Sequence, residues 1–171
     1  MSIANSCEKI LMEIGEDVSR EGLIDTPKRF EKAFLYMCKG YGETVDNVVN
    51  NAVFNSDSTG EVVVADIEFY SLCEHHILPF FGKCTIKYIP KGKVLGLSKF
   101  ARVVDVFSRR LQVQEKLTFE IHHAICKVLG TEDVEVTTEA KHLCMMMRGV
   151  QKQCSTTSCV ERSGIFFRMN K

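Results

Sequence analysis

Two runs of alternating apolar and polar side chains, residues 62–72 and 82–89, constrain the fold of this chain more than any other feature. Strict alternation is typical of a β-strand that buries one face, because successive side chains point to opposite faces of a sheet. Only residues 73–81 separate the two runs, so we predict an antiparallel hairpin with those residues at its closed end. The predicted inner face of the first run carries Val63, Ala65, Ile67 and Phe69.

Helical periodicity flanks this hairpin on both sides. Helices are predicted at residues 3–18, 27–39, 98–111 and 114–129, and further strands at 134–148 and 165–168. This order predicts an α+β fold, in which a four-stranded antiparallel sheet has paired helices on one face and additional helices at the N-terminus. A single short chain cannot cover the edges and the other face of such a sheet, so we expect it to oligomerise.

Charge and cysteine content narrow the class of protein. The 22 basic and 22 acidic residues balance, which argues against a nucleic-acid partner. Residues 81–110 nevertheless carry eight cations against one anion, which indicates either a bound anion or a solvated surface. The 8 cysteines lack a preceding signal-peptide pattern, so we expect reduced thiols and a cytoplasmic location. No apolar run approaches the roughly 18 residues that a membrane span needs, so we expect no membrane partner.

The closed end of the hairpin contains Cys73, His75 and His76, which are potential metal ligands. Thiolate and imidazole both suit zinc, and the Cys73-x-x-His76 spacing lets two side chains bend round one ion. Either His142 or Cys144 offers a third ligand, and the two share one face if their segment is a strand. Three protein ligands would leave one position open, as in hydrolytic zinc sites. The alternative is ordinary packing, because free cysteine is among the most buried residue types.

A second candidate site combines cations with the start of a helix. Ser98, Lys99 and Arg102 fall at a predicted helix N-terminus, where free backbone amides and the helix dipole favour an anion such as phosphate. Arg148 falls on the same face of the predicted strand as His142 and Cys144, so it could line the same pocket as those residues. The alternative is that Ser98 is an ordinary N-cap beside solvated cations.

The following helix begins with Gln114 and Glu115. A carboxylate at this position is stabilised by the helix dipole whatever its function. A carboxylate can also accept two hydrogen bonds from an N–H and an adjacent amino group, which is how a guanine edge can be selected. Both interpretations of Glu115 stay open from the residues alone.

Several motifs, in one order along the chain, carry a family resemblance. They are Thr26-Pro27-x-Arg29, Cys73-Glu74-His75-His76-x-x-Pro79-Phe80-x-Gly82, Gly96-Leu97-Ser98-Lys99-x-Ala101-Arg102, Gln112-x-Gln114-Glu115-x-Leu117-Thr118 and His142-x-Cys144-Met145-x-Met147-Arg148-Gly149. With these motifs the chain resembles GTP cyclohydrolase I, the enzyme that opens the purine ring of GTP. The resemblance implies a tunnelling fold (T-fold) assembled into a toroidal homodecamer with active sites shared between subunits. It also implies an N-terminal helical segment, residues 1–45, and a catalytic T-fold domain, residues 46–171.

The resemblance further implies a role for each candidate residue. Zn²⁺ would be held by Cys73, His76 and Cys144 and would activate water against C8 of guanine. His142 would donate a proton to N7, and His75 would assist a later ring opening. The guanine edge would be held by Glu115, helped by Gln114, and the triphosphate by Ser98, Lys99, Arg102 and Arg148. The products would be formate and 7,8-dihydroneopterin triphosphate, in the first step of tetrahydrofolate or tetrahydrobiopterin biosynthesis.

Two other functions compete with this interpretation. A T-fold nitrile reductase would act on a pyrrolopyrimidine with NADPH and a nucleophilic cysteine, and it would need no zinc. A non-catalytic, metal-stabilised assembly module would normally close its zinc with four protein ligands. The anion site favours the hydrolase over the reductase, and the additional histidines, His75 and His142, favour it over the structural module.

Overall fold

The structure of the protein, a computed structural model, describes residues 2–169. Its α-helices are α1 Ile3–Glu13, α2 Thr26–Met37, α3 Val45–Val49, α4 Leu97–Ser108, α5 Gln114–Leu129, α6 Leu143–Met146 and α7 Gly164–Arg168. Its strands are β1 Val53–Asn55, β2 Val62–Cys73, β3 Pro79–Tyr88, β4 Lys93–Leu95, β5 Leu111–Gln112, β6 Val134–His142 and β7 Thr157–Arg162. The α+β class predicted from the sequence is confirmed.

The main sheet has the strand order β5-β2-β3-β6-β7. Strands β2, β3, β6 and β7 pair antiparallel in that order, and the predicted hairpin is the β2–β3 pair. The short strand β5 adds to the edge in parallel with β2, and β1 pairs with β4 in a separate sheet. The sequence pattern does not predict these three strands, because two or three residues carry no measurable alternation.

Helices α4 and α5 cover one face of the main sheet and bury the core there. Phe100, Val104, Leu117 and Ile121 of the helices are fully buried in one cluster with Phe80 of β3. Helix α5 has the bounds that its periodicity predicts, and it ends where Gly130 adopts a left-handed φ of +66°. The core therefore fixes the helix pair against the strands that carry the candidate metal ligands.

The predicted inner face of β2 is wrong in its first half. Val63 and Ala65 are exposed, whereas Phe69 is buried. The register with β3 shifts between Val64 and Ile67, and Asp66 adopts a left-handed φ of +58°. Such a β-bulge adds a residue to one strand, so every side chain before it changes face.

The predicted last strand, residues 165–168, is also wrong, because this segment lies in α7. The strand is instead β7, which begins at Thr157, before the predicted segment. Helix α7 is anchored by the backbone N–H of Ile165, which donates to the Asp133 carboxylate at 2.8 Å. A four-residue apolar run is compatible with either a strand or a helical turn. The contact with Asp133 therefore favours the helical turn here.

The N-terminal helices form a hairpin of their own. Helix α1 ends at Glu13, earlier than the predicted residue 18, because Gly15 adopts a left-handed φ of +86°. The backbone N–H of Ala4 donates to Glu31 of α2 at 3.3 Å and ties the two helices together. The division into residues 1–45 and 46–171 stays a prediction. Among residues 2–169, every helix is too short or too polar to traverse a lipid bilayer.

Gly82 is required where β3 passes β6. A Cβ atom at this position would lie 1.8 Å from the backbone oxygen of Glu139 and 2.7 Å from Cα of Ala140. We expect Gly82→Ala to lower the free energy of unfolding by about 3 kcal/mol or more, because backbone must move apart in the central strand pair. Urea unfolding followed by circular dichroism measures this. Gly60→Ala is the matched control, since a Cβ there meets nothing within 4 Å; equal midpoints for the two variants would contradict the prediction.

Candidate metal and substrate site

Three potential ligand atoms converge at the closed end of the hairpin. The side chains of Cys73, His76 and Cys144 each offer one ligand atom, and these atoms lie within 4.8 Å of one another. Two thiolates and an imidazole are a donor set that suits zinc, and three ligands leave a fourth tetrahedral position open. Burial and the neighbouring Cys73 raise the pKa of the Cys144 thiol. A cation between two such sulfurs would favour their thiolate forms. The described residues therefore fit a zinc ion.

A tight turn places Cys73 and His76 on the same side. The backbone N–H of Cys73 donates to Leu78 O, and that of Ile77 donates to Cys73 O, both at 2.8 Å. Ile77 adopts a left-handed φ of +56°, which is unfavourable for a β-branched residue. The two hydrogen bonds hold the backbone in this conformation, so the turn is a rigid support for the ligands.

Cys144 reaches the group from a helical turn, which corrects the predicted strand. Strand β6 ends at His142, and α6 begins at Leu143 with a hydrogen bond from Met147 N to Leu143 O. The predicted common face of His142 and Cys144 is therefore wrong. Of the two third ligands that the sequence leaves open, only Cys144 joins the metal-ligand group among residues 2–169.

His142 lies next to this group, in a fixed orientation. Its ring is stacked on Phe80, with centroids 4.7 Å apart and an interplanar angle of 2°. Its Nε2 lies 2.8 Å from Oε1 of Gln114. Burial lowers the pKa of His142, and the negative charge of Glu115 opposes part of that change. Sequence reasoning missed Phe80 as a support, although it lies opposite His142 in the β3–β6 register.

His75 and Arg148 also adjoin the group. Nδ1 of His75 lies 3.7 Å from Sγ of Cys73. Nη1 of Arg148 lies 3.3 Å from Nε2 of His76. Arg148 follows α6 and does not lie on a strand, so the strand argument for its position is wrong, although it does come close to the ligands. Its cation places positive charge beside the metal-ligand group.

The predicted anion site lies at the start of α4, but its details differ from prediction. Helix α4 begins at Leu97 with Gly96 as its N-cap, so Ser98 is not the N-cap. Ser98 and Arg102 line a cleft of about 380 Å³. Lys99 is not among the lining residues, and its Nζ donates to the backbone oxygen of Val48 at 2.9 Å. Of the predicted phosphate contacts, Ser98 and Arg102 are therefore the two whose side chains line the cleft.

Lys39 also lines this cleft, and sequence reasoning missed it. Its Nζ lies 3.4 Å from Asp105 and 3.7 Å from Glu43. No motif signals Lys39, because it lies 59 positions from Ser98 in the sequence. The cleft therefore combines two cations with two carboxylates.

The anion cleft extends along α4 from Ser98 to Asp105. Beyond the C-terminal end of this helix, the backbone N–H of Leu72, next to the ligand Cys73, donates to Arg110 O at 3.3 Å. The two predicted parts of the site therefore lie on different elements, the cleft along α4 and the metal-ligand group on the β2–β3 turn and α6.

Gln114 and Glu115 open α5 but have different environments. Glu115 is exposed in the first turn. Gln114 is only 2% exposed, and its amide nitrogen donates to Thr138 O at 3.1 Å and Thr157 O at 3.0 Å. The side-chain oxygen of Gln114 is thus directed at His142, and its predicted help at a guanine edge stays a prediction.

The comparisons with known proteins agree with the motifs. The family model described as GTP cyclohydrolase I matches residues 3–171. "GTP cyclohydrolase 1 1" of Pseudomonas putida is 59% identical over 91% of this chain and 82% of its own length. "GTP cyclohydrolase 1" of Methylococcus capsulatus is 56% identical over 92% of this chain and 85% of its own length.

A solved structure, titled as the archaeosine synthase QueF-Like in the apo form, is 21% identical with a TM-score of 0.48. It covers 64% of this chain and 96% of that one. The family match spans nearly all of the chain and includes every candidate site residue. This chain belongs to the GTP cyclohydrolase I family.

Proposed function

We propose that the protein is a zinc-dependent GTP cyclohydrolase I, which hydrolyses GTP to formate and 7,8-dihydroneopterin triphosphate. The observation that carries the proposal is the convergence of Cys73, His76 and Cys144, with His142 beside them, in a member of this family. The nitrile reductase alternative has no use for this ligand set. A structural zinc module has no use for an oriented histidine next to an open position.

The proposed chemistry divides between the metal and the protein. Cys73, His76 and Cys144 would hold the ion, which when bound supplies a Lewis acid that activates water. His142 would give a proton to N7 of guanine, which makes the neighbouring C8 a better electrophile. His75, whose Nδ1 lies 3.7 Å from Sγ of Cys73, would assist proton transfer in a later ring opening.

Substrate binding would hold C8 near these groups. Glu115 is exposed and can accept two hydrogen bonds from the N–H and amino group of a guanine edge. The triphosphate would meet Ser98, Lys99, Arg102 and Arg148, although Lys99 must release Val48 O to take part. Fixing both ends of the substrate converts the attack on C8 into an effectively intramolecular step.

We propose that each active site is shared between two subunits of a toroidal T-fold homodecamer. Support comes from the family match and from the exposed apolar side chains Val63, Tyr70 and Val160 on the main sheet, which a neighbouring subunit would cover. In this arrangement, the cleft of one chain and the metal-ligand group of its neighbour would form one site. A catalytic domain of residues 46–171, a helical segment of residues 1–45, and a cytoplasmic location belong to the same proposal.

Arg102 tests the proposed phosphate contact. We expect Arg102→Ala to raise the KM for GTP about 10- to 100-fold, because a charge-assisted hydrogen bond contributes about 1.5–3 kcal/mol. The affinity for guanosine should not change, since guanosine has no phosphate. Arg20→Ala is the matched control, because Arg20 pairs with Glu16 at 2.8 Å outside the cleft. Equal losses for GTP and guanosine would remove Arg102 from the phosphate site.

The activity itself is tested with GTP and the zinc-loaded protein. We expect equimolar formate and, after oxidation, a fluorescent pterin. Removal of the metal by a chelator should abolish both products, and added zinc should restore them. NADPH oxidation with a pyrrolopyrimidine nitrile, together with no formate from GTP, would favour the reductase instead.

A further inference from the structure

The orientation of the buried Gln114 amide is determined by its surroundings. Its nitrogen lies within hydrogen-bond distance of two backbone oxygens, those of Thr138 and Thr157. A rotation of the amide by 180° would place its oxygen against both of these acceptors, which is repulsive. Its oxygen, Oε1, must therefore face the Nε2 atom of His142.

The hydrogen bonds of the hydroxyl groups around Gln114 allow one consistent assignment of donors and acceptors. The hydroxyl of Thr118 donates to the backbone oxygen of Gln114 at 2.8 Å. The Thr118 and Thr138 hydroxyl oxygens are 2.7 Å apart, so Thr138 must be the donor of that pair. Oγ1 of Thr138 then accepts from the Gln114 amide at 3.1 Å. Thr118 and Thr138 are both fully buried, so water cannot replace these partners easily.

The imidazole of His142 is consequently held in two ways. The Phe80 ring, parallel to it, fixes the plane of the ring. The Gln114 oxygen fixes rotation within that plane, and because it is an acceptor it requires a proton on Nε2. The other ring nitrogen, Nδ1, is left for the reaction.

We propose that Gln114 is a positioning residue that holds His142 with Nε2–H bonded to its amide, so that Nδ1 is the nitrogen that exchanges a proton with the substrate. The proton transfer in this proposal rests on the proposed function, whereas the orientation of His142 does not. Nδ1 first takes up a proton from solvent, which gives the imidazolium, and then passes that proton to the ring nitrogen of guanine, while the Nε2–H bond stays intact throughout. Gln114 acts through His142 and does not touch the substrate.

The orientation is tested without substrate by ¹⁵N solid-state NMR of the zinc-loaded protein, labelled with ¹⁵N-histidine. His142→Asn identifies the His142 signals. We expect Nε2 to carry a strongly hydrogen-bonded proton and Nδ1 to be bare and free of metal. In Gln114→Met that Nε2 signal should move to the position of a weakly bonded N–H. A neutral tautomer with the proton on Nδ1 and a bare Nε2 in the parent protein, zinc on Nδ1, or an unchanged Nε2 signal in Gln114→Met would overturn the proposal.

Kinetics provide the second measurement. We expect Gln114→Met to lower kcat about 10- to 100-fold, a part of what general acid catalysis contributes, and to leave KM for GTP within about twofold. A rise in KM at unchanged kcat would overturn the proposal and place Gln114 on the guanine edge. If the parent protein shows no turnover of GTP, the proposed function fails while the NMR result still decides the orientation.

Gln112→Met is the matched control for both measurements. Gln112 is 1% exposed and its backbone pairs with that of Cys73, but its side-chain amide nitrogen is bonded to Phe107 O and Glu120 and not to His142. Its replacement removes a buried amide of the same kind and should leave the His142 signals and kcat unchanged. Thr138→Val is a milder second variant, which removes only the hydroxyl partner of the Gln114 amide, and it should lower kcat less in the same direction. Equal effects of Gln112→Met and Gln114→Met would mean a general structural role and would overturn the proposal.

Discussion

Replacement of Cys144 by alanine is expected to remove bound zinc and nearly all turnover of GTP. Cys73 and His76 lie in one rigid turn and offer only two ligands, so the third must come from α6. Loss of a residue that only hydrogen-bonds to a metal ligand lowers metal affinity by about 10- to 100-fold. Loss of the ligand Cys144 itself should therefore lower the affinity for zinc by more than about 100-fold. Zinc per chain, measured after dialysis, and the rate of formate release test this.

The matched control for this prediction is Cys126→Ala. Cys126 is a buried cysteine whose sulfur contacts His122 and Ser163 at 3.8 Å, far along α5 from the ligand group. This variant should bind zinc and turn over GTP like the parent protein. Full zinc occupancy in Cys144→Ala would contradict the proposed ligand set.

Replacement of His142 by alanine is expected to separate metal binding from catalysis. His142 is not in the metal-ligand group, so zinc should remain at one ion per chain. Turnover should fall about 10²- to 10⁴-fold, the usual contribution of a general acid. Loss of zinc together with activity would show that His142 is a ligand.

His123→Ala is the control for the histidine prediction. His123 is exposed on α5, where its ring is stacked on Phe119 at a centroid distance of 6.2 Å. We expect unchanged kcat and unchanged zinc content in this variant. A comparable loss of kcat would mean that removal of any imidazole harms the enzyme non-specifically.

Long periodic segments explain why much of the fold could be predicted. Helix α5 has sixteen residues with a regular apolar stripe, and its bounds match the prediction. The β2–β3 hairpin is similarly fixed by alternation over many residues. Cys73 and His76 were predictable for a different reason, since their spacing and the chemistry of thiolate and imidazole restrict what can bind there. The residues alone left the third ligand open between His142 and Cys144, and only the family resemblance favoured Cys144.

The wrong predictions of local structure share one physical cause. In each case, the local structure depends on contacts with residues that are far away in the sequence. The bulge at Asp66 and the helical turn at Cys144 leave no period in the sequence. Helix α7 depends on the contact between Ile165 and Asp133. The role of Gln114 depends on backbone oxygens of two other strands, which sequence spacing cannot reveal.

X-ray absorption spectroscopy at the zinc edge is the most direct test of the central claim, that Cys73, His76 and Cys144 hold one ion and leave a position open. The zinc-loaded protein is measured without substrate. The account predicts two sulfur ligands and one imidazole nitrogen from the protein. A site with fewer than two sulfurs, or one closed by a fourth sulfur or imidazole, would contradict it.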